Sequence, residues 1–103
     1  VFEPRSATAC RNLHQQAYPG AFDPADEVLL APLGRPNLPE DERLDLDRLA
    51  RDLAARGKTA RACGSIDEII AHLVEHAAGG NAIALLSNGA FGGIHRRLLA
   101  ALA

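Results

Sequence analysis

The run His72-Leu-Val-Glu75-His76 matches the inverted zincin pattern, in which two imidazoles one helical turn apart bind zinc and the glutamate between them acts as base. Such a site needs a further protein ligand, and the only Asp, Glu, Cys or His after His76 is His95. On a helix these three residues fall opposite Ile69, Leu73 and Ala77, so a solvated face is the favoured reading. A second candidate is Ser87-Asn-Gly-Ala-Phe-Gly-Gly93, where helix amides could meet an anion. It fits neither G-x-G-x-x-G nor G-x-x-x-x-G-K-[ST] and lacks the phosphate-loop lysine. A tight turn whose glycines satisfy backbone angles is the competing reading. A third is Glu3-Pro4-Arg5-Ser6, where Arg5 offers a planar fork for a carboxylate or phosphate, or else bridges to Glu3 on the surface. Arg35 is a further candidate on a later loop. Cys10 and Cys63 match no redox or metal spacing and read as buried thiols, while His14 and His95 read as structural. No Ser-His-Asp or Cys-His arrangement is recognisable. These are binding groups without an evident catalytic engine.

The elements that position these groups alternate. Val1 to Phe2 reads as the end of a buried strand and Glu3 to Thr8 as the loop after it. A helix over Ala9 to Ala17 should stop at Pro19-Gly20. Glu27 to Ala31 is an apolar run of strand length, and Pro32 to Leu44 is a surface loop with three prolines. Asp45 caps a helix with apolar positions Leu46, Leu49, Ala50, Leu53 and Ala54, which Gly57 ends. Thr59 to Cys63 is a third strand. Ser65 and Glu68 form a capping box for a helix whose stripe is Ile66, Ile69, Ile70, Leu73, Val74 and Ala77, stopped by Gly79-Gly80. Asn81 to Leu86 is the last strand and Ile94 to Leu102 the last helix. Strand and helix alternate, with crossovers long enough for parallel pairing. The fold class is therefore α/β, an open and mainly parallel sheet with helices on both faces. Its strand-to-helix loops share one edge, where such sheets bind ligands.

The chain's 103 residues suffice for one domain and one core. With 20 Ala, 15 Leu and four scattered aromatics, that core is expected to be small close-packed helices rather than an aromatic cluster. Eleven basic and 13 acidic residues give a net charge of −2, with no run of like charge that could follow a nucleic-acid backbone or an anionic membrane, which argues against both as partners. No apolar stretch reaches a membrane span, and no leader is recognisable, so the chain reads as soluble. The absence of Met, in a sequence opening on what looks like a strand's tail, predicts a piece of a longer polypeptide.

The segments VFEPRSATACR, DEVLLAPLGRP and LLSNGAFGGIHRRLL resemble the carboxy-terminal domain of the Mur ligase family, in its cell-wall recycling branch. The likeness runs over essentially all of residues 1–103, which would form most of that domain. The resemblance implies a Rossmann-like fold and a cytoplasmic, ATP-dependent amide ligase. Its substrates would be UDP-N-acetylmuramate and the tripeptide L-alanyl-γ-D-glutamyl-meso-diaminopimelate. ATP and Mg2+ would be cofactors of the full-length enzyme, with none bound by this chain alone. The partners it implies are the tripeptide and the UDP-sugar and ATPase domains of the same polypeptide. It carries over Arg5, Ser6, Ser87, Asn88 and Gly89 as substrate-binding residues, with Arg35 beside them, and assigns no catalytic residue here. Arg5 would pair a peptide carboxylate and Asn88 would bond peptide amides. Ala7 and Ala90 depart from the family's Asn and third Gly, so no side-chain contact is carried over at position 7. The contrasting expectation is a stand-alone α/β binding or receiver-like module. A receiver would need acidic strand ends, and these carry Arg5, Arg35 and Asn88.

Overall fold

Strand β1 (Glu27–Leu30) is built from side chains that alternate between two cores. The structure, a computed structural model, describes residues 1–4, 10–33, 38–76, 82–87 and 91–102. Val28 and Leu30 face Leu44, Leu49 and Leu53 on one side. Leu29 and the following Ala31 face Cys63, Ile69, Phe91 and Ile94 on the other. A strand covered on both faces needs apolar residues at successive positions, which is what the run VLLA supplies.

β1 pairs in parallel with β2 (Thr59–Ala62), Glu27 opposite Thr59 and Leu30 opposite Ala62. The amide of Cys63 extends the ladder to the Leu30 carbonyl at 2.8 Å. On the other side of β1, Phe2 makes parallel bridges to both Leu30 and Leu86. The spatial order is therefore β2, β1, the Phe2 segment, then the Leu86 segment, and every pairing among them is parallel. The last segment is shorter than the sequence predicts, its one bridge among the described residues falling at Leu86. The last segment is joined to residues 1–3 through the Val1 amino group, the Leu86 amide and the Glu3 amide, at 2.8, 2.9 and 2.9 Å. Among the described residues only β1 and β2 extend as strands.

Helix α1 (Tyr18–Ala21) and helix α2 (Leu46–Ala55) cover the Val28 face, while helix α3 (Ile66–His76) and helix α4 (Ile94–Leu102) cover the Leu29 face. Asp45 caps α2 as expected, its Oδ1 accepting from the Arg48 amide at 3.0 Å, and Gly57 ends the turn after it at φ 84°. Leu49 and Leu53 are fully buried, each contributing about 1.5–3 kcal/mol of burial. At α3 the Ser65 hydroxyl accepts from the Glu68 amide at 3.1 Å, but the Glu68 carboxylate accepts from Gly64, not from Ser65. Ile66, Ile69, Ile70 and Leu73 pack inward, whereas Val74 is exposed. Ala77, Gly79 and Gly80 lie outside the described residues.

Two further expectations fail. The helix over Ala9 to Ala17 is replaced by a 3-10 turn at Asn12–His14, and α1 contains the Pro19-Gly20 pair expected to stop it. Proline is harmless in a first helical turn, where its missing N–H has no partner to serve. The second failure concerns aromatics. Phe2, Tyr18 and Phe22 do cluster on the Val28 face, with ring centroids 5.4–6.5 Å apart, because α1 folds back over the first strand. Among the described residues no helix is long and apolar enough to cross a membrane.

Candidate functional site

The crossovers through α1 and α2 pack on one face of the sheet, and the crossover through α3 packs on the other. Chain direction across the sheet thus reverses between the Phe2 and Leu86 segments. In open parallel sheets such a reversal leaves a crevice at the carboxyl ends of the two strands concerned.

Glu3 and Ser87 stand at this point. The Glu3 amide still belongs to the ladder, donating to the Leu86 carbonyl at 2.9 Å, so Glu3 ends the strand rather than opening the loop. The residue is buried at 7% exposure, and its Oε1 accepts from the Ser87 hydroxyl at 2.6 Å. The described residues on either side of these positions are held in the core. Pro4 is fully buried, and its carbonyl accepts from the Cys10 thiol at 2.9 Å, while the Cys10 carbonyl takes the Leu44 amide at 2.8 Å. Phe91, fully buried in the α3–α4 core, anchors the far end of the glycine-rich loop. It does so in the left-handed region, at φ 51°, where a side chain is strained.

Of the six residues singled out for binding, Ser87 is described, and it stands beside Glu3 at the point where the sheet reverses. Arg5 and Ser6 fall between Pro4 and Cys10, Asn88 and Gly89 between Ser87 and Phe91, and Arg35 between Leu33 and Leu38; all five lie outside the described residues. Glu3 was missed as a site residue. The available signal was its place immediately after two strand residues, where a side chain can still turn inward.

The zincin-like run belongs elsewhere. His72 is not on a solvated face: its side chain is 13% exposed, and its Nε2 lies 2.8 Å from Glu27 Oε1 at the amino end of β1. Arg61 lies 3.5 Å from Nδ1, so His72 ties α3 to both strands. Glu75 and His76 are exposed as expected. Among the described residues no three of His, Cys, Asp and Glu are grouped as metal ligands would be. Cys10 and Cys63 are both buried and free, as read from the sequence. Burial, with the Glu68 carboxylate adding to it, raises the Cys63 thiol pKa, so it stays protonated and inert.

An open cleft of about 610 Å³ separates the Asn12–His14 turn from the start of α2, lined by Asn12, Gln15, Gln16, Arg43 and Arg48 among others. Its polar groups hold the fold together. Gln15 donates to the Asp45 carbonyl at 3.0 Å and accepts from its amide at 2.8 Å, Asn12 donates to the Asp41 carbonyl, and Arg43 to the Leu38 carbonyl.

No protein-family model and no curated protein sequence matches the chain. Among solved structures it is similar to a murein peptide ligase from Psychrobacter arcticus 273-4, with a TM-score of 0.74 and 34% sequence identity. The similarity covers 98% of this chain and 20% of that one, so the chain spans about a fifth of that protein's length. The resemblance carried by VFEPRSATACR and LLSNGAFGGIHRRLL is thus also a resemblance of fold.

Proposed function

We propose that this chain forms most of the carboxy-terminal, Rossmann-like domain of a cytoplasmic ATP-dependent amide ligase of the Mur ligase family. That enzyme joins UDP-N-acetylmuramate to L-alanyl-γ-D-glutamyl-meso-diaminopimelate in peptidoglycan recycling. The observation that carries the reading is the similarity, over 98% of the chain at 34% identity, to part of a murein peptide ligase. In this reading residues 1–103 are one domain, and the UDP-sugar and ATPase domains of the same polypeptide hold the nucleotide and Mg2+. A phosphoryl group passes from ATP to the lactyl carboxylate, giving an acyl phosphate and ADP. The peptide amine then attacks the acyl carbon, phosphate leaves, and the nitrogen gives up a proton.

This chain serves the acceptor side. An amine must be neutral to attack, and a peptide with several carboxylates needs cationic and amide donors to hold it. Arg5 pairs a peptide carboxylate and Asn88 bonds peptide amides, with Ser6, Ser87 and Gly89 lining the same crevice and Arg35 a further contact. The sheet reversal beside Glu3 and Ser87 supports this assignment, since both loops leave the sheet there. The test uses the full-length polypeptide with ATP, Mg2+ and both substrates. The expected result is one phosphate released per amide formed, and no ATP turnover by the 103-residue chain alone. Arg5→Ala should raise the peptide KM by roughly 10- to 150-fold while leaving the ATP KM nearly unchanged. Absence of amide product from the full-length protein, or ATP turnover by the isolated chain, would overturn the reading.

A further inference from the structure

We infer that Glu3 is a positioning residue of the crevice: its buried carboxylate takes the Ser87 proton and thereby presents Ser87 to the incoming peptide as an acceptor of N–H groups. A carboxylate buried to this degree is costly unless hydrogen-bonded, and the 2.6 Å contact from Ser87 has the length of a charge-assisted O–H···O bond. The bond also spans 84 residues of sequence and joins the two strand ends between which the sheet reverses.

The chemistry follows from the count of protons. A serine hydroxyl has one, and the 2.6 Å bond gives it to Glu3, so this oxygen meets a ligand as an acceptor. Such a group disfavours a carboxylate and suits an amine or an amide N–H. Arg5 and Asn88 are the groups assigned to the peptide's carboxylate and amides; Ser87, oriented by Glu3, adds the acceptor that selects the amine-bearing part. Glu3 acts through Ser87 and is not a catalytic residue. This inference rests on the ligase reading for the identity of its ligand.

The experiment is a double-variant cycle in the full-length enzyme. Glu3→Ala and Ser87→Ala should each raise the peptide KM about tenfold, with the ATP KM unchanged within about twofold, and the combined variant should be no worse than either. Glu3→Gln keeps a carbonyl that can take the Ser87 proton and should stay within about threefold of the unaltered enzyme. Thermal melts establish that each variant folds; if Glu3→Ala does not, Glu3→Gln and Ser87→Ala carry the comparison. Multiplying effects in the combined variant, equal losses for ATP and peptide, or no rise with Ser87→Ala would overturn the role of Glu3 alone. An unaltered enzyme that forms no amide would instead remove the ligase reading and this inference with it.

Discussion

Truncating Phe91 should cost more than any change to the glycines around it, and the side chain's surroundings give the size of the loss. Phe91 is fully buried among Leu29, Ala31, Cys63, Ile69 and Ile94, so Phe91→Ala removes a large core side chain and leaves a cavity, at about 3–5 kcal/mol. A domain of this size has a total stability of about 5–15 kcal/mol, so the loss is a large share of the whole. Backbone conformation adds a second, separable effect. At φ 51° any residue with a Cβ is strained by about 1–2 kcal/mol, and glycine is not. In the interior of α2, Leu49→Gly should be worse than Leu49→Ala by about 1 kcal/mol. At Phe91 that penalty should vanish or reverse. Urea denaturation of the chain followed by circular dichroism reads both, since 3–5 kcal/mol moves the midpoint by more than about 1 M at ordinary slopes. A Phe91→Ala loss below about 1.5 kcal/mol would refute the anchor. Glycine worse than alanine at both positions would refute the strained backbone.

Two further outcomes follow from the loops. Gln15→Ala removes both bonds to the Asp45 backbone from a buried position and should destabilise the chain by about 1–3 kcal/mol in the same denaturation assay, more than Gln16→Ala on the exposed side. Asp23 has its pKa lowered chiefly by the hydrogen bond from Arg56, aided by the Arg56 and Lys58 charges. A folded value below the unfolded one gives stability that is complete above the unfolded pKa and lost as pH falls through the folded one. Asp23→Asn should therefore flatten the stability loss below about pH 5, as read by melts across acid buffers.

The helices α2, α3 and α4 were legible because their signals are local. Asp45, Ser65 and the period of Leu49, Leu53, Ile69 and Ile94 lie within a few residues of what they determine. The segments Glu27 to Ala31 and Asn81 to Leu86 were legible for a similar reason, as apolar runs between turn residues. What was not legible depends on distant parts of the chain. Pro19 reads as a stop until the following residues show that it sits in a first turn. Phe2, Tyr18 and Phe22 meet only once the first strand is in the sheet. His72 looks solvated on a helical wheel, yet Glu27 and Arg61 reach it from two strands. Ser87 reads from the sequence as a strand-end residue, and its hydroxyl meets Glu3 there. Glu3 was not legible, because only the ladder to Leu86 shows that its side chain turns inward.

The contact between Glu3 and Ser87 also has a place in time. Pairing of β1 with β2 closes a short stretch of chain; the Lys58 bond to the Ala25 carbonyl, which accompanies it, spans 33 residues. The Ser87 bond spans 84. Loop-closure entropy makes the longer one costlier by roughly 0.8 kcal/mol, before the ordering of either loop is counted. Folding should then begin with β1, α2 and β2, and the joining of the first segment to the last should come late. The crevice is the seam closed at the end of that sequence, so a chain that has assembled its site has already assembled the rest. Changes that leave the β1–α2–β2 unit intact but weaken the seam should part residues 1–3 from residues 82–87 while preserving much of the secondary structure.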